Sequence, residues 1–236
     1  MALNDIKLFC IPFSGGNAYS YSEFKKFLPH GLELCTLELP GRGKRIMEPL
    51  LNNIDSMTVD LFNQINNNIG ENYFIFGHSL GALLGIMLCK YIYAKQMKLP
   101  LMLFVSGQTA PVLIKSDAKH RLPDDQFINM IREMEGTPEE LLTDKSFLQF
   151  FLPIVRSDFQ SISDYNYRTE NFKLDIPITV MLGKDEKIND EDALNWQLES
   201  DNSISIHRFE GGHFFIFDQT EKVCSLITEK IKLYNK

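Results

Sequence analysis

Short apolar runs alternate along this chain with longer segments of helical periodicity, and this alternation limits the folds available to it. The apolar runs lie at residues 6–11, 32–39, 72–76, 101–106, 176–182 and 203–209. Helical spacing follows the second run, continues at residues 80–94 and closes the chain from about Asp218. Because strands that are separated by helices pair in parallel through right-handed crossovers, the pattern predicts a mostly parallel, doubly wound α/β sheet.

One stretch, from about residue 110 to 172, breaks the alternation. It contains helix-like pieces around residues 123–134, 138–142 and 145–155 but no convincing strand. An insertion of roughly sixty residues between two core strands exceeds an ordinary connection. We therefore expect one domain over residues 1–236, with a helical lid inserted at approximately 110–172.

The charge balance excludes one class of partner. The chain has 24 Lys and Arg residues against 31 Asp and Glu residues, which gives a net charge of −7. An acidic chain without a long basic block lacks the electrostatic footprint of a nucleic-acid-binding protein.

The apolar runs of the chain fall short of the roughly 20 residues that cross a bilayer, and its first residues lack the pattern of a secretion signal. We therefore expect a cytoplasmic protein with neither a nucleic-acid partner nor a membrane partner.

The sequence Gly-His-Ser-Leu-Gly at residues 77–81 is the sharpest local signal. It follows the apolar run at 72–76 and precedes a helix-forming segment. In this context a Gly-x-Ser-x-Gly pattern forms a strained strand-to-helix turn, in which the glycines avoid clashes and the serine hydroxyl is lifted above the sheet. Ser79 is therefore a candidate nucleophile, and the alternative is an ordinary helix N-cap.

A serine hydroxyl becomes a nucleophile when a base takes its proton, and the chain has five histidines from which that base can come. His213 follows the last predicted strand, in a Glu-Gly-Gly-His-Phe-Phe segment whose loop can reach the mouth of the sheet. His207 lies within the strand pattern and His120 within the insertion, where packing or surface roles suit them better. His213 is therefore the predicted base, with a structural turn histidine as the alternative.

The third member of such a triad orients the imidazole and stabilises its charged form. Asp185 lies just beyond the apolar run at 176–182, at the carboxyl end of a predicted strand, where sheets of this kind build their sites. Three other acids compete for the role: Glu186, Asp190 and Asp192. We assign it to Asp185, because Ser79, Asp185 and His213 then follow the chain order of the α/β-hydrolase architecture.

A tetrahedral intermediate also needs N–H donors for its oxyanion. One is expected at the backbone N–H of Leu80, which follows the nucleophile, and the other at Ser14, in the Pro-Phe-Ser-Gly-Gly loop after the first predicted strand. The glycine pair of this loop lacks the Gly-Lys-Ser/Thr ending of a P-loop and the spacing of a dinucleotide site. We therefore expect no cofactor and no metal site.

Further motifs accompany these residues. They are Leu-Pro-Gly-Arg-Gly at 39–43 with Arg45 and Glu48-Pro49, Arg-Ser-Asp-Phe at 156–159 with Tyr165, and Gly-Gly-His-Phe at 211–214. With the loop at 12–16, the serine motif and the Gly183-x-Asp185 segment, they make the chain resemble the stand-alone (type II) thioesterases of nonribosomal peptide and polyketide synthesis. The serine motif is shared by many hydrolases, whereas Leu-Pro-Gly-Arg-Gly after the second strand is much more specific.

The resemblance implies an α/β-hydrolase fold with a triad of Ser79, Asp185 and His213. The N–H groups of Ser14 and Leu80 would form the oxyanion hole. The usual task of the family is to hydrolyse wrong or stalled acyl groups from the phosphopantetheine thiols of acyl or peptidyl carrier proteins. The insertion would be a mobile lid over the entrance for that arm, and we expect a monomer.

Two sequence features qualify what the resemblance implies. Phe13 stands where the family usually has His, which leaves the backbone donor unchanged but puts any hydrogen bond of that His in doubt. Carrier proteins are generally acidic, as is this chain, so contact would need a local basic rim. The candidates for such a rim are Lys25, Lys26, Arg42, Lys44 and Arg45.

The same catalytic machinery also cleaves oxygen esters. A carboxylesterase or lipase of small esters is therefore one alternative, and an acyltransferase or a non-catalytic ligand receptor on the same scaffold is another. Apolar residues of the insertion could line an acyl channel, which would favour a large acyl substrate. The alternative is that they form the small core of the lid itself. These residues are Phe127, Ile131, Phe147, Phe150 and Phe151.

Overall fold

A parallel sheet lies at the centre of the computed structural model, which describes residues 6–67, 69, 72–168 and 172–234. The strands in these residues are β1 (Ile6–Ile11), β2 (Leu32–Thr36), β3 (Asn72–His78), β4 (Leu103–Ser106), β5 (Ile178–Gly183) and β6 (Ser205–Phe209). They are hydrogen-bonded in the order β2-β1-β3-β4-β5-β6, with each neighbouring pair parallel. The predicted parallel α/β sheet is therefore confirmed.

Helices cover both faces of this sheet. They are α1 (Ile54–Ile65), α2 (Leu80–Ala94), α3 (Asp124–Glu133), α4 (Glu139–Thr143), α5 (Lys145–Ser163), α6 (Asp190–Leu194), α7 (Phe215–Asp218) and α8 (Thr220–Lys232). In β1, Phe9 and Ile11 join the core that α1 and α2 cover, whereas Leu8 and Cys10 join the core that α8 covers. This alternation is the period of two that a doubly covered strand requires. Within the described part of the chain, no helix has both the length and the apolar character needed to cross a bilayer.

The region between β4 and β5 contains α3, α4 and α5, and its described residues from 110 to 168 include no strand. We call helices α3 to α5 and their connections the inserted helices. They share a small core of their own: Phe127, Ile131, Leu142, Leu152 and Val155. Residues 169–171, at the end of the predicted insertion, lie outside the described residues.

Two elements differ in length from their predictions. The strand β2 ends at Thr36 rather than at residue 39, because the chain beyond it bends into a loop with Gly41 at φ +79°. The helix α5 continues through Pro153 to Ser163, whereas the pattern predicted an end near 155. A proline removes one helical hydrogen bond, but burial of the α5 residues on both sides of it, among them Leu152 and Val155, favours continuation of the helix.

The loop of residues 37–45, which contains the Leu-Pro-Gly-Arg-Gly motif, is built around the buried carboxylate of Glu38. This carboxylate accepts hydrogen bonds from the backbone N–H groups of Ala18 at 3.0 Å and Lys44 at 2.8 Å. Gly43 has φ +51°, and a Cβ at this position would collide with the Glu38 carboxylate. The second glycine of the motif therefore serves to hold the loop closed around Glu38.

We expect the substitution Gly43→Ala to lower the free energy of unfolding by about 2 to 4 kcal/mol, since it combines a left-handed backbone with a steric clash. Urea unfolding followed by circular dichroism measures the change. The matched control is Lys44→Ala, which keeps the same backbone hydrogen bond at an exposed position. Equal stability of the two variants would contradict this account of the loop.

Candidate active site

Ser79 lies at the turn between β3 and α2, at the carboxyl edge of the sheet. Its backbone has φ 55° and ψ −119°, a conformation that residues with a side chain rarely adopt. A Cβ at Gly77 would collide with the carbonyl oxygen of Gly81, and a Cβ at Gly81 would collide with that of Ile11. The predicted strained strand-to-helix turn is therefore present, and both glycines are required by close backbone contacts.

The alternative role for Ser79, an ordinary N-cap, does not agree with the structure. Its side chain makes no capping hydrogen bond to α2 in the described residues. Instead, its backbone N–H donates to the carbonyl of Ser106 at 2.8 Å, which ties the turn to the end of β4. Ser79 lines two cavities.

His213 is held by a carboxylate. Its Nδ1 lies 2.7 Å from Oε1 of Glu186, whose side chain is only 6% exposed. The other carboxylate oxygen of Glu186 accepts the backbone N–H of Gly183 at 2.7 Å. Among the described residues, Nε2 of His213 is buried and has no hydrogen-bond partner. The ring is thus anchored through one nitrogen, and it borders a cavity that Ser79 also borders.

The structure does not bring Asp185, the predicted orienting acid, to His213, which contacts Glu186 instead. The side chain of Asp185 is exposed, and its backbone N–H donates to the carbonyl of Gly211 at 3.1 Å. Asp190, another competitor, pairs with Arg208. Glu186 faces inward because its carboxylate closes a turn onto the Gly183 N–H, and this turn directs residue 185 to solvent.

Glu186 meets His213 because the end of β5 lies directly against the loop after β6. A Cβ at Gly183 would collide with the carbonyl oxygen of Gly212. The N–H of Lys184 also donates to the carbonyl of Phe209 at 2.8 Å. Gly183 therefore permits the contact between the two loops that carry the acid and the histidine. The glycine is visible in the sequence, but its contact with the loop after β6 is not, because the two segments are distant along the chain.

His78, directly before Ser79, lies beneath the site and is fully buried. Its Nδ1 is 2.9 Å from the hydroxyl of Ser106, and its ring centroid is 4.9 Å from that of His213. Burial lowers the pKa of His78 well below its usual range, and the nearby His213 lowers this pKa further. His78 is therefore neutral near pH 7, so it adds no positive charge that would oppose protonation of His213.

The two predicted oxyanion donors lie beside Ser79. Leu80 is the first residue of α2, so its N–H has no acceptor within the helix. In the loop after β1, the N–H of Gly15 donates to Asp158 at 2.8 Å and the N–H of Gly16 donates to the carbonyl of Phe13 at 2.8 Å. The neighbouring Ser14 borders both cavities at Ser79.

Two cavities meet at Ser79 and Ser14, and they differ in character. The first lies beneath the inserted helices and has mainly apolar walls, which include Ile131, Leu141, Phe147, Phe151 and Phe159. The second also borders His213 and has polar and charged groups, which include Gln108, Lys115, Asp117, Lys119 and Asp192.

Of the five apolar residues considered for an acyl channel, Ile131, Phe147 and Phe151 line the first cavity. Phe127 is buried in the small core, and Phe150 is 66% exposed.

Phe13, at the position where the resembling family usually has His, packs within an aromatic cluster. Its ring contacts Phe214 edge to face at a centroid distance of 5.1 Å and Phe217 at 5.7 Å. His78 lies 6.0 Å away in the same orientation. Phe13 therefore supports the segment after His213 by packing rather than by a hydrogen bond.

The predicted basic rim is not a set of free cations. Arg42 is buried and paired with Asp158, which removes it from any surface. Arg45 pairs with Asp60 and Glu48, and Lys26 pairs with Glu23. Arg45 braces the loop of residues 37–45 by donating to the carbonyl of Glu38, whereas Arg42 ties this loop to Asp158 of α5.

Comparison with known proteins gives consistent matches over nearly the whole chain. A protein-family profile described as a thioesterase domain matches residues 6–231. The gramicidin S biosynthesis protein GrsT of Aneurinibacillus migulanus is 33% identical over 231 residues, which cover 97% of this chain and 90% of that protein.

Solved structures give the same result. ClbQ from the colibactin NRPS/PKS pathway has a TM-score of 0.90 at 29% identity, with 97% of this chain and 99% of that chain covered. The type II thioesterase BorB from the borrelidin biosynthetic cluster has a TM-score of 0.87 at 27% identity, with 96% and 92% covered. Both neighbours are therefore similar in fold to this chain over more than nine-tenths of their length.

We expect NMR titration of the histidine rings to show that His78 keeps the signals of the neutral form well below the ordinary midpoint of about pH 6.5. Because the unfolded chain binds this proton and the folded chain does not, His78 contributes stability that is present above about pH 6.5 and is lost as the pH falls toward the folded pKa. Urea unfolding at several pH values measures the loss. A His78 signal with a midpoint near 6.5 would contradict the burial described above.

Proposed function

Because the chain belongs to the thioesterase domain family, we propose that it is an editing thioesterase of nonribosomal peptide or polyketide synthesis. Its substrate is an acyl group held as a thioester on the phosphopantetheine arm of an acyl or peptidyl carrier protein. The observation that carries this proposal is the hydrogen bond between Glu186 and His213, because the His213 ring borders a cavity that the strained Ser79 also borders. The similarity to BorB, a type II thioesterase, and to ClbQ supports the pathway assignment.

In the first half of the reaction, the Ser79 hydroxyl attacks the thioester carbonyl while Nε2 of His213 takes its proton. The carbonyl oxygen becomes an oxyanion, which accepts hydrogen bonds from the N–H groups of Leu80 and Ser14. Collapse of the intermediate breaks the carbon–sulfur bond, and His213 returns the proton to the leaving thiol. The product is an acyl group bound to Ser79.

In the second half, a water molecule takes the place of the thiol. His213 removes a proton from this water as it attacks the acyl carbonyl, and then gives that proton to Ser79 as the acid leaves. Glu186 keeps the imidazole in one orientation and stabilises its positive charge in both halves, since its carboxylate is fixed by Gly183 and shielded from solvent.

The two cavities at Ser79 suit the two parts of such a substrate. The apolar cavity beneath the inserted helices accommodates the acyl chain, with Phe147 and Phe151 as part of its wall. The more polar cavity, which His213 borders, accommodates the amide-rich phosphopantetheine arm and its leaving sulfur. In this arrangement the scissile bond lies where the cavities meet, and the inserted helices act as the lid. The protein works as a monomer in the cytoplasm.

The experiment that tests the function compares three substrates: an acylated carrier protein, the matching acyl-CoA, and a nitrophenyl ester. We expect the highest kcat/KM on the carrier thioester, with loss of the acyl mass from the carrier in intact-mass spectra. Ser79→Ala is expected to lower kcat by about 10³-fold or more. A preference for the nitrophenyl ester would favour a carboxylesterase and contradict the proposal, as would full activity of the Ser79→Ala variant.

Variants of two neighbouring acidic residues test which carboxylate orients His213. Glu186→Gln removes the charge that stabilises the imidazolium, so we expect kcat to fall by about 10⁴-fold, as for a neutralised triad acid. Asp185→Asn, at the exposed neighbouring position, is expected to stay within about 2-fold of the wild type. Steady-state kinetics on one activated ester measures both variants. The reverse order of effects would return the role to Asp185.

A further inference from the structure

Arg42 and Asp158 form an ion pair that is removed from solvent. Their side chains are 2% and 0% exposed, and both guanidinium Nη atoms donate to the carboxylate at 2.7 Å. A buried ion pair gains little net stability, because desolvation of the two charges offsets their attraction, and a well-packed apolar pair often serves as well. Stability is therefore a weak reason for this pair.

The Asp158 carboxylate has a third partner, in the loop after β1. Its Oδ2 accepts the backbone N–H of Gly15 at 2.8 Å, and Nη1 of Arg42 lies 3.5 Å from the carbonyl oxygen of Gly16. The ion pair thus contacts the tight turn of residues 13–16 at two peptide groups, those of Ser14–Gly15 and Gly16–Asn17. This turn is closed by its own hydrogen bond from Gly16 to Phe13.

Side-chain packing from α5 fixes the same turn. A Cβ at Gly15 would lie 2.8 Å from the ring of Phe151 and 2.9 Å from a methyl of Val155. Phe151, Val155 and Asp158 are spaced four and three residues apart, so they share one face of α5. This face of α5 accepts the N–H of Gly15 through Asp158, and it leaves no space for a side chain at Gly15 because Phe151 and Val155 pack there.

We propose that Asp158, fixed by Arg42, is a positioning residue: by holding the Gly15 N–H it orients Ser14, whose own N–H is the proposed oxyanion donor. The N–H groups of Gly15 and Gly16 donate to acceptors within the protein. Ser14 lines the same two cavities as Ser79. Oxyanion donors stabilise the transition state when they are held in place before the reaction. By fixing the loop after β1, the Asp158 carboxylate on α5 therefore contributes to stabilisation of the transition state. The inference rests on the proposed serine-esterase chemistry but not on the carrier substrate.

A pair of double variants separates this role from the role of the charges. In Arg42→Met/Asp158→Leu the ion pair and the acceptor for Gly15 are both absent. In Arg42→Met/Asp158→Asn the charges are absent, but the amide oxygen of Asn still accepts the Gly15 N–H. Leu and Asn have the same number of side-chain heavy atoms with the same branching at Cγ, and removing both charges avoids an unpaired buried ion, so both variants are expected to fold.

We expect kcat/KM on a nitrophenyl ester and on a small acyl thioester to fall by about 10²-fold in the Leu variant, the scale of one lost oxyanion donor. The Asn variant is expected to stay within about 10-fold of the wild type. A trifluoromethyl ketone, to which Ser79 adds as an oxyanion-bearing hemiketal, should bind the Leu variant more weakly by the same factor as kcat/KM. The non-hydrolysed amide analogue of the substrate should keep its affinity.

A second buried ion pair gives the matched control. Lys90 and Glu199 are paired at 2.8 Å with low exposure, away from Ser79. The double variant Lys90→Met/Glu199→Leu should leave kcat and trifluoromethyl ketone binding unchanged, whatever its effect on urea unfolding. A general loss of rigidity would instead lower activity in all three double variants.

Equal activity and equal ketone affinity in the Leu and Asn variants would overturn the inference. So would a loss that appears equally in the affinity for the amide analogue, because that pattern indicates a damaged pocket. If the wild type cleaves esters but not acylated carrier proteins, the proposed function is wrong. The comparison of the Leu and Asn variants on esters still tests whether Asp158 positions the oxyanion donor. Ketone binding measures the geometry independently of turnover.

Discussion

The site depends on backbone segments that approach more closely than a side chain would allow. Gly77 and Gly81 let the start of α2 pack against β1 and the end of β3, which forces Ser79 into its strained conformation. Gly183 lets the loops after β5 and β6 touch, which brings Glu186 to His213. Both contacts lie at the carboxyl edge of one parallel sheet, where adjacent strands deliver their loops to the same place.

The electrostatics of the site follow from the same close packing. The Glu186 carboxylate is shielded from water and held by a backbone N–H, so its charge acts on the His213 ring with little screening. Beneath it, burial keeps His78 neutral and prevents a second positive charge from competing with His213. The hydrogen-bonded Glu186–His213 pair thereby lies at a cavity that Ser79 also borders.

The inserted helices have two different relations to the rest of the protein. The helix α5 is tied to the sheet by the buried Arg42–Asp158 pair and by the packing of Phe151 and Val155 on Gly15. No comparable buried ion pair joins α3 or α4 to the sheet in the described residues. A lid that opens by moving α3 and α4 would leave the turn of residues 13–16 undisturbed, whereas a lid that moved α5 would break a buried charge pair. Among the described residues, a buried ion pair to the loop after β2 therefore distinguishes α5 from α3 and α4.

The sequence by itself determined the order of strands and helices, the strained turn at Ser79 and the position of His213 after β6. These features are local, because apolar periodicity, glycine spacing and chain order each depend on neighbouring residues. The choice between Asp185 and Glu186 required tertiary structure, since it depends on which carboxylate turns inward when the ends of β5 and β6 meet. The partners of Arg42 were equally unreadable, because Asp158 is 116 residues away and the two side chains meet only when α5 packs on the loop after β1. Sequence patterns describe what each segment forms, and only the packing between distant segments decides which charges are paired.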